Sequence, residues 1–213
     1  MDINNFYSYK ITRDYGFAPN PFYGVCSLAN CKPRIRKNAQ IGDWILGFGS
    51  VAKGSMYAEK LIFAMKVDEK IRMDTYWQDE RFQAKKPTLN GSKKQMYGDN
   101  IYYPIDGGKL SQCNSHHSFP GGGVNYINLK RDLSGVYVLL AQEFYYWGAA
   151  AVEMPENLRI LICGNKCRNC KKISFQERTH LIDEFLTWIG HYEKGRLGDP
   201  HHFNSTFRRY DGK

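Results

Sequence analysis

The stretch from Tyr7 to Val67 constrains the fold most, because it is a run of short strands broken by turn chemistry. Phe6 to Arg13 alternates aromatic or apolar with polar residues, the period of a half-buried strand. Gly16, Pro19, Asn20 and Pro21 then end that run. A short helix can open between Ser27 and Asn38, with Pro33 in its first turn, where proline is tolerated. Gly42-Asp43 makes a tight turn into Trp44–Phe48, a second apolar strand. Leu61–Val67 is a third, with Leu61, Phe63, Met65 and Val67 sharing one face. Strands this short, with aromatic and basic residues between them, predict a small β-barrel or curved sheet with aromatic and cationic side chains at one mouth.

Further on, Thr75 to Phe82 has helical character, and Lys85 to Val124 reads as a long, glycine-rich loop. Val136–Leu140 and Glu143–Trp147 are strand candidates. Ser174 to Ile189 is the best helix, with capping-box spacing at Ser174 and Glu177. Its apolar stripe is Leu181, Ile182, Phe185, Leu186 and Ile189. The expected class is α+β, as one domain over 1–213. Within it are a basic, cysteine-rich insertion at 159–172 and a polar tail at 198–213 that frays.

The formal net charge of +9 favours an anionic partner. Three basic clusters carry much of it: Lys32, Arg34, Arg36 and Lys37; Lys85, Lys86, Lys93 and Lys94; and Arg159, Lys166, Arg168, Lys171 and Lys172. Two clusters on one face would track phosphates; apart, they are solvated loops. No apolar run is long enough to span a bilayer, and the first residues do not resemble a signal peptide, so a cytoplasmic location is expected. The cysteines are then expected to be mostly free thiols.

Several groups could carry chemistry. Tyr9, Tyr15, Phe17 and Trp44 can stack on bases, each stack contributing roughly 1–3 kcal/mol, while Arg13, Lys32, Arg34 and Arg36 can hold phosphate. Asn20 can read a polar base edge. Singly, each aromatic is as well explained as core. Ser115-His116-His117-Ser118 can supply a general base, although neighbouring histidines on a strand point opposite ways and would otherwise be exposed loop residues. Asp14 can orient a histidine, but capping the turn is its more usual work. Cys31 is a candidate nucleophile. Cys163, Cys167 and Cys170 have a spacing that can hold zinc, with His180 or Cys113 as a fourth ligand; the alternative is free thiols in a basic loop. Beyond that structural zinc, no cofactor is expected. The triple glycine Gly121-Gly122-Gly123 lacks the Lys-Ser/Thr of a phosphate loop.

The sequence resembles the second type of nucleotide modification associated domain. The resemblance rests on Tyr9, Asp14 to Phe22, Cys26, Cys31-Lys32-Pro33, Ile35-Arg36, Gly42-Asp43-Trp44 and Met65-Lys66-Val67. It continues through Tyr97-Gly98-Asp99-Asn100, Ser115 to Ser118, Arg131-Asp132, Phe144 to Gly148 and Gly198-Asp199-Pro200. The three-cysteine segment looks like an addition to that pattern. The resemblance implies association with modified nucleic-acid bases, often in phage or mobile-element settings, and no particular reaction. A fainter similarity, in the order of elements, is to PUA and EVE barrels, which bind nucleic acid or a flipped base.

Two functions follow as expectations. The first is a binding module that recognises a modified base or nucleotide, in DNA or RNA, through the aromatic and basic pocket. The alternative is a hydrolase or transferase acting on nucleotides or modified bases, with His116 or His117 as acid–base, Asp14 as its partner and Cys31 as nucleophile. A plain docking protein for an acidic partner is the third.

Overall fold

The computed structural model describes residues 5–51, 55–164, 171–174 and 180–212. Its strands are β1 (Asn5–Ile11), β2 (Cys26–Leu28), β3 (Trp44–Gly49), β4 (Leu61–Lys66), β5 (Glu69–Arg72), β6 (Tyr102–Ile105), β7 (Lys109–Gln112), β8 (Tyr137–Ala141), β9 (Phe144–Tyr146), β10 (Lys171–Ser174) and β11 (Gly195–Arg196). Its helices are α1 (Pro33–Asn38), α2 (Met73–Gln78), α3 (Lys93–Met96), α4 (Tyr126–Leu133) and α5 (His180–Ile189).

A six-stranded mixed sheet runs β10-β1-β3-β4-β9-β11, and a three-stranded antiparallel sheet runs β2-β8-β5. β1 lies parallel to β3, with Phe6 opposite Trp44 and Ile11 opposite Gly49. The expected α+β class holds, with open sheets. The expected small barrel is not formed among the described residues. β10 and β11 extend the large sheet at its two edges, and β2-β8-β5 packs against it as a separate layer.

The alternation of each strand builds three apolar layers. Tyr7, Tyr9 and Ile11 of β1 face Leu28, Leu139 and Ala141 of the small sheet, with Ile35 of α1. Phe6 points the other way, to join Trp44, Leu46 and Phe48 of β3 and Leu181, Phe185 and Ile189 of α5. Val138 and Leu140, the alternate residues of β8, face α2 and the β6–β7 hairpin through Met73, Tyr76 and Tyr102. Each such side chain contributes about 1.5–3 kcal/mol on burial. β4 departs from simple alternation: the β3–β4 register shifts between Gly47 and Phe48, so Leu61 lies in the second layer while Ile62 and Phe63 share the first. Gly47 is required there, because a Cβ would sit 2.1 Å from the Phe63 ring.

The segment read as a long loop, 85–124, contains α3 and the β6–β7 hairpin, built from short pieces that carry little periodicity. Ser174 belongs to β10, and helix α5 begins at His180; Glu177 lies outside the described residues. Among the described residues no helix is long and apolar enough to cross a membrane.

Candidate active site

The strand–turn–helix from β2 to α1 carries Cys31, one of the candidate residues. Cys31 and Lys32 both adopt left-handed backbone, φ 55° and 40°, which costs non-glycine residues of order 1 kcal/mol or more each. The turn is held by its surroundings. The Cys31 N–H donates to Asp132 Oδ1 (2.9 Å), and the Cys31 carbonyl accepts from Arg36 Nε (2.8 Å). Pro33 then opens α1.

Arg36 is fully buried, and its guanidinium is taken up by backbone carbonyls from the end of α4 to the start of β8. It donates to Asp132 O (2.7 Å), Tyr137 O (2.8 Å) and Gly135 O. Gly135 permits this approach, since a Cβ there would meet the Pro33 carbonyl oxygen at 2.3 Å. Arg36 therefore clamps the site rather than holding phosphate.

Helix α4 supplies the carboxylate. Asn125 caps it by accepting from Ile127 N–H (3.1 Å) and Asn128 N–H (3.2 Å). Asn128 and Asp132, one turn apart, bring polar groups to its buried face. Asn128 Nδ2 donates to the His117 carbonyl (2.9 Å), fixing the histidine loop. Asp132 Oδ2 accepts from His117 Nδ1 (2.8 Å) and from the Tyr102 hydroxyl (2.7 Å). On the far side of the ring, His117 Nε2 lies 3.7 Å from Cys31 Sγ. The result is a Cys31–His117–Asp132 chain, with the imidazole held between sulfur and carboxylate.

Electrostatics fix its protonation. Burial pulls the His117 pKa down, but Asp132 and the Cys31 sulfur outweigh it and hold the imidazole up at about 9. Burial likewise disfavours ionised Asp132, yet His117 and Arg36 keep its carboxyl below the usual range. His117 therefore carries its proton at neutral pH, with Nδ1–H directed to Asp132 and Nε2–H towards Sγ. A sulfur beside an imidazolium is a setting in which catalytic cysteines are found. Burial pushes the thiols of Cys26 and Cys113 up to about 12, which disfavours their ionised form.

His116 is different. Burial and the charge on His117 push it down to about 3, so it is neutral. Its Nδ1–H faces the Arg208 carbonyl, and its ring packs among Tyr15, Phe17 and Tyr97. Both histidines are buried and line the same cavity. The expected opposition of neighbours fails because His116 and His117 sit in a turn, not a strand, with ring centroids 5.5 Å apart.

The cavity holds about 570 Å³. Cys31, His116, His117, Tyr9, Tyr15, Phe17, Lys32 and Arg13, all named from the sequence, line it, together with Arg131 and Tyr210. None of the described residues lining it is acidic, whereas Arg13, Lys32 and Arg131 are cationic. Lys32 Nζ lies 4.7 Å from the Tyr9 ring centroid. Tyr9, Tyr15 and Phe17 are almost wholly covered, so they shape the walls more than they offer open faces.

Other sequence candidates lie elsewhere. Trp44 is 0% exposed in the second layer against Phe185 and Tyr145, on the opposite face of β1–β3 from Tyr9. It has no open face for a base. Asn20 is buried, with Oδ1 accepting from Lys85 Nζ (2.9 Å) and Phe22 N–H (3.2 Å) and Nδ2 donating to Tyr97 O (3.2 Å). Arg34 is exposed on α1 outside the cavity lining. Asp14 accepts from Tyr146 OH (2.6 Å), Gly16 N–H and His201 N–H, the turn-capping work, and is not the carboxylate bonded to His117. Cys163 is buried in the second layer; Cys167 and Cys170 lie outside the described residues.

Asp132 was not singled out from its chemistry. Its signal was modest: an acid in the last turn of a helix, against the dipole, one turn after another polar residue. The ligand atoms of Cys31, His117 and Asp132 lie within 4.8 Å of one another, so a metal ion is a geometric alternative. Against it, both Asp132 oxygens are already engaged by Cys31 N–H, Tyr102 and His117.

The tail read as frayed is a wall of this site. Tyr210 N–H donates to His116 O (2.7 Å), and Arg209 Nη1 donates to Ser115 O and Ser118 Oγ (both 2.6 Å). The Tyr210 ring lies 5.5 Å from that of His117.

No curated protein and no solved structure matches this chain. A family model, described as nucleotide modification associated domain 2, matches residues 3–207, which include all three members of the chain from Cys31 to Asp132. That description ties the family to nucleotide modification systems. The chain belongs to the nucleotide modification associated domain 2 family.

Proposed function

We propose that this protein is an enzyme of a nucleotide modification system, a hydrolase or transferase that uses Cys31 as nucleophile on a nucleotide or modified base. The observation that carries this reading is the Cys31–His117–Asp132 chain at a cationic cavity. Asp132 fixes the ring and its charge, His117, which already carries its proton, donates Nε2–H to the leaving group, and Arg13, Lys32 and Arg131 attract the anionic ligand. His116, neutral and buried, is a wall and acceptor rather than the acid–base. The binding-module reading draws on the same cationic and aromatic lining and does not require a closed PUA-like barrel. It loses Trp44 and Asn20 as contacts and leaves the Cys–His–Asp chain without a purpose.

The test is alkylation by iodoacetamide, followed by peptide mass spectrometry. Cys31 should react faster than Cys113, His117→Ala should slow it, and nucleoside monophosphates should protect it. Equal labelling of both cysteines with no protection by nucleotides would remove the enzyme reading. Protection without enhanced reactivity would restore the binding module.

A further inference from the structure

We infer that a second groove, built around Tyr23 and Lys94, docks the backbone of a single-stranded polynucleotide, so that the substrate is a polymer rather than a free nucleotide. The inference rests on the reading above only for what occupies the Cys31 cavity.

The groove holds about 620 Å³ and shares no lining residue with that cavity. Its cations are Lys93, Lys94, Lys194 and Arg196, and its acid is Asp199. Two of the positive charges are answered: Lys194 pairs with Glu143 (3.0 Å) and Arg196 with Asp199 (2.5 Å). The other two are not. Lys93 donates to the neutral Ser205 carbonyl, and Lys94 lies over the Tyr23 ring, with no ion pair to a carboxylate among the described residues. The groove thus carries unmatched positive charge, which suits phosphodiesters.

The second observation is backbone strain. Tyr23 has φ 63°, a conformation that favours glycine, and the residue is 36% exposed. Its neighbours hold the turn. Asn20, locked by Lys85, accepts from Phe22 N–H, and Phe22 stacks on Phe203 with centroids 5.4 Å apart. The turn displays an aromatic ring with Lys94 Nζ over one face, 5.5 Å from the centroid, which leaves the other face to stack on a base while the ammonium meets a phosphate. An exposed ring of this kind stacks on an unpaired base.

Ala18 lines the cavity and Pro21, three residues on, lines the groove, so these two Cα atoms lie within about 11 Å. On this inference a strand docked at Tyr23 carries a neighbouring nucleotide to Cys31.

The test is fluorescence anisotropy with short fluorescein-labelled single-stranded DNA and RNA oligonucleotides over a salt series. Lys94→Ala should weaken binding about tenfold and flatten the salt slope by about 0.7, the share of a single neutralised phosphate. Tyr23→Gly relieves the strained φ, so its melting temperature should match or exceed that of the parent while oligonucleotide affinity falls about tenfold. Both variants should keep the parental alkylation rate at Cys31. Parental oligonucleotide affinity in both variants, or no oligonucleotide binding by the parent, overturns the inference. Loss of binding in the variants with an unreactive Cys31 supports the groove while removing the enzyme reading.

Discussion

Replacing Asp132 with Asn removes one charge from the site and nearly preserves its shape. In the native protein the carboxylate is 0% exposed and accepts from Tyr102, His117 and Cys31 at 2.7, 2.8 and 2.9 Å. Burial alone would lower the His117 pKa from 6.5, yet Asp132 and Cys31 hold it at about 9. The gap between 6.5 and about 9 corresponds to about 3 kcal/mol of folding stability. Because the folded value is the raised one, that stability is fully present below 6.5 and is lost as pH rises through about 9. In Asp132→Asn the amide cannot hold the proton, so burial prevails and the alkaline loss shrinks or vanishes. The variant should also be weaker at neutral pH, by about 3–5 kcal/mol for breaking a buried pair. Urea unfolding at about pH 6 and about pH 10 reads both effects: the parent should lose about 3 kcal/mol more across that interval than the variant. His117→Gln, which has no titrating ring, should reproduce the flattened alkaline limb if Asp132→Asn does not fold. Parallel pH–stability curves for the parent and these variants would refute the assigned ion pair.

Three other outcomes are expected. Cys31→Ser should retain ligand binding and lose turnover by about a thousandfold or more, read in a single-turnover assay with modified oligonucleotides. Trp44→Ala should cost about 3–5 kcal/mol in urea unfolding, because the ring is wholly buried against Phe185 and Tyr145, while ligand affinity per folded molecule stays the same. Ending the chain after Phe207 removes the Arg209 and Tyr210 hydrogen bonds to the histidine loop, each worth about 1 kcal/mol. That variant should melt at a lower temperature and lose nucleotide protection of Cys31; an unchanged melt and full protection would show that the tail is no part of the site.

Much of the site was legible as residue types near one another in the chain. Tyr9, Arg13, Tyr15, Phe17, Cys31, Lys32, His116 and His117 were all named, and all line one cavity. Trp44 and Arg36 misled for a common reason: an aromatic ring and a guanidinium can do surface work or interior work. Alternation along β3 sends Trp44 to the far layer, and the close approach of α1 to the end of α4 buries Arg36. Asp14 and Asp132 show the converse. The carboxylate nearer Cys31 in sequence caps a turn, while the one bonded to His117 comes from a helix 101 residues after Cys31.

The sequence by itself determined the strand-rich N-terminal third, the helix ending at Ile189, the family and the basic character, because period, turn chemistry and composition are local properties of the chain. Only the tertiary structure decided that the sheets stay open, that Cys31, His117 and Asp132 meet, and that the tail is a wall of their cavity. Those outcomes depend on which strand edges pair and on hydrogen bonds between residues tens of positions apart. A carboxylate raises a histidine's pKa strongly when folding brings the two within hydrogen-bond reach.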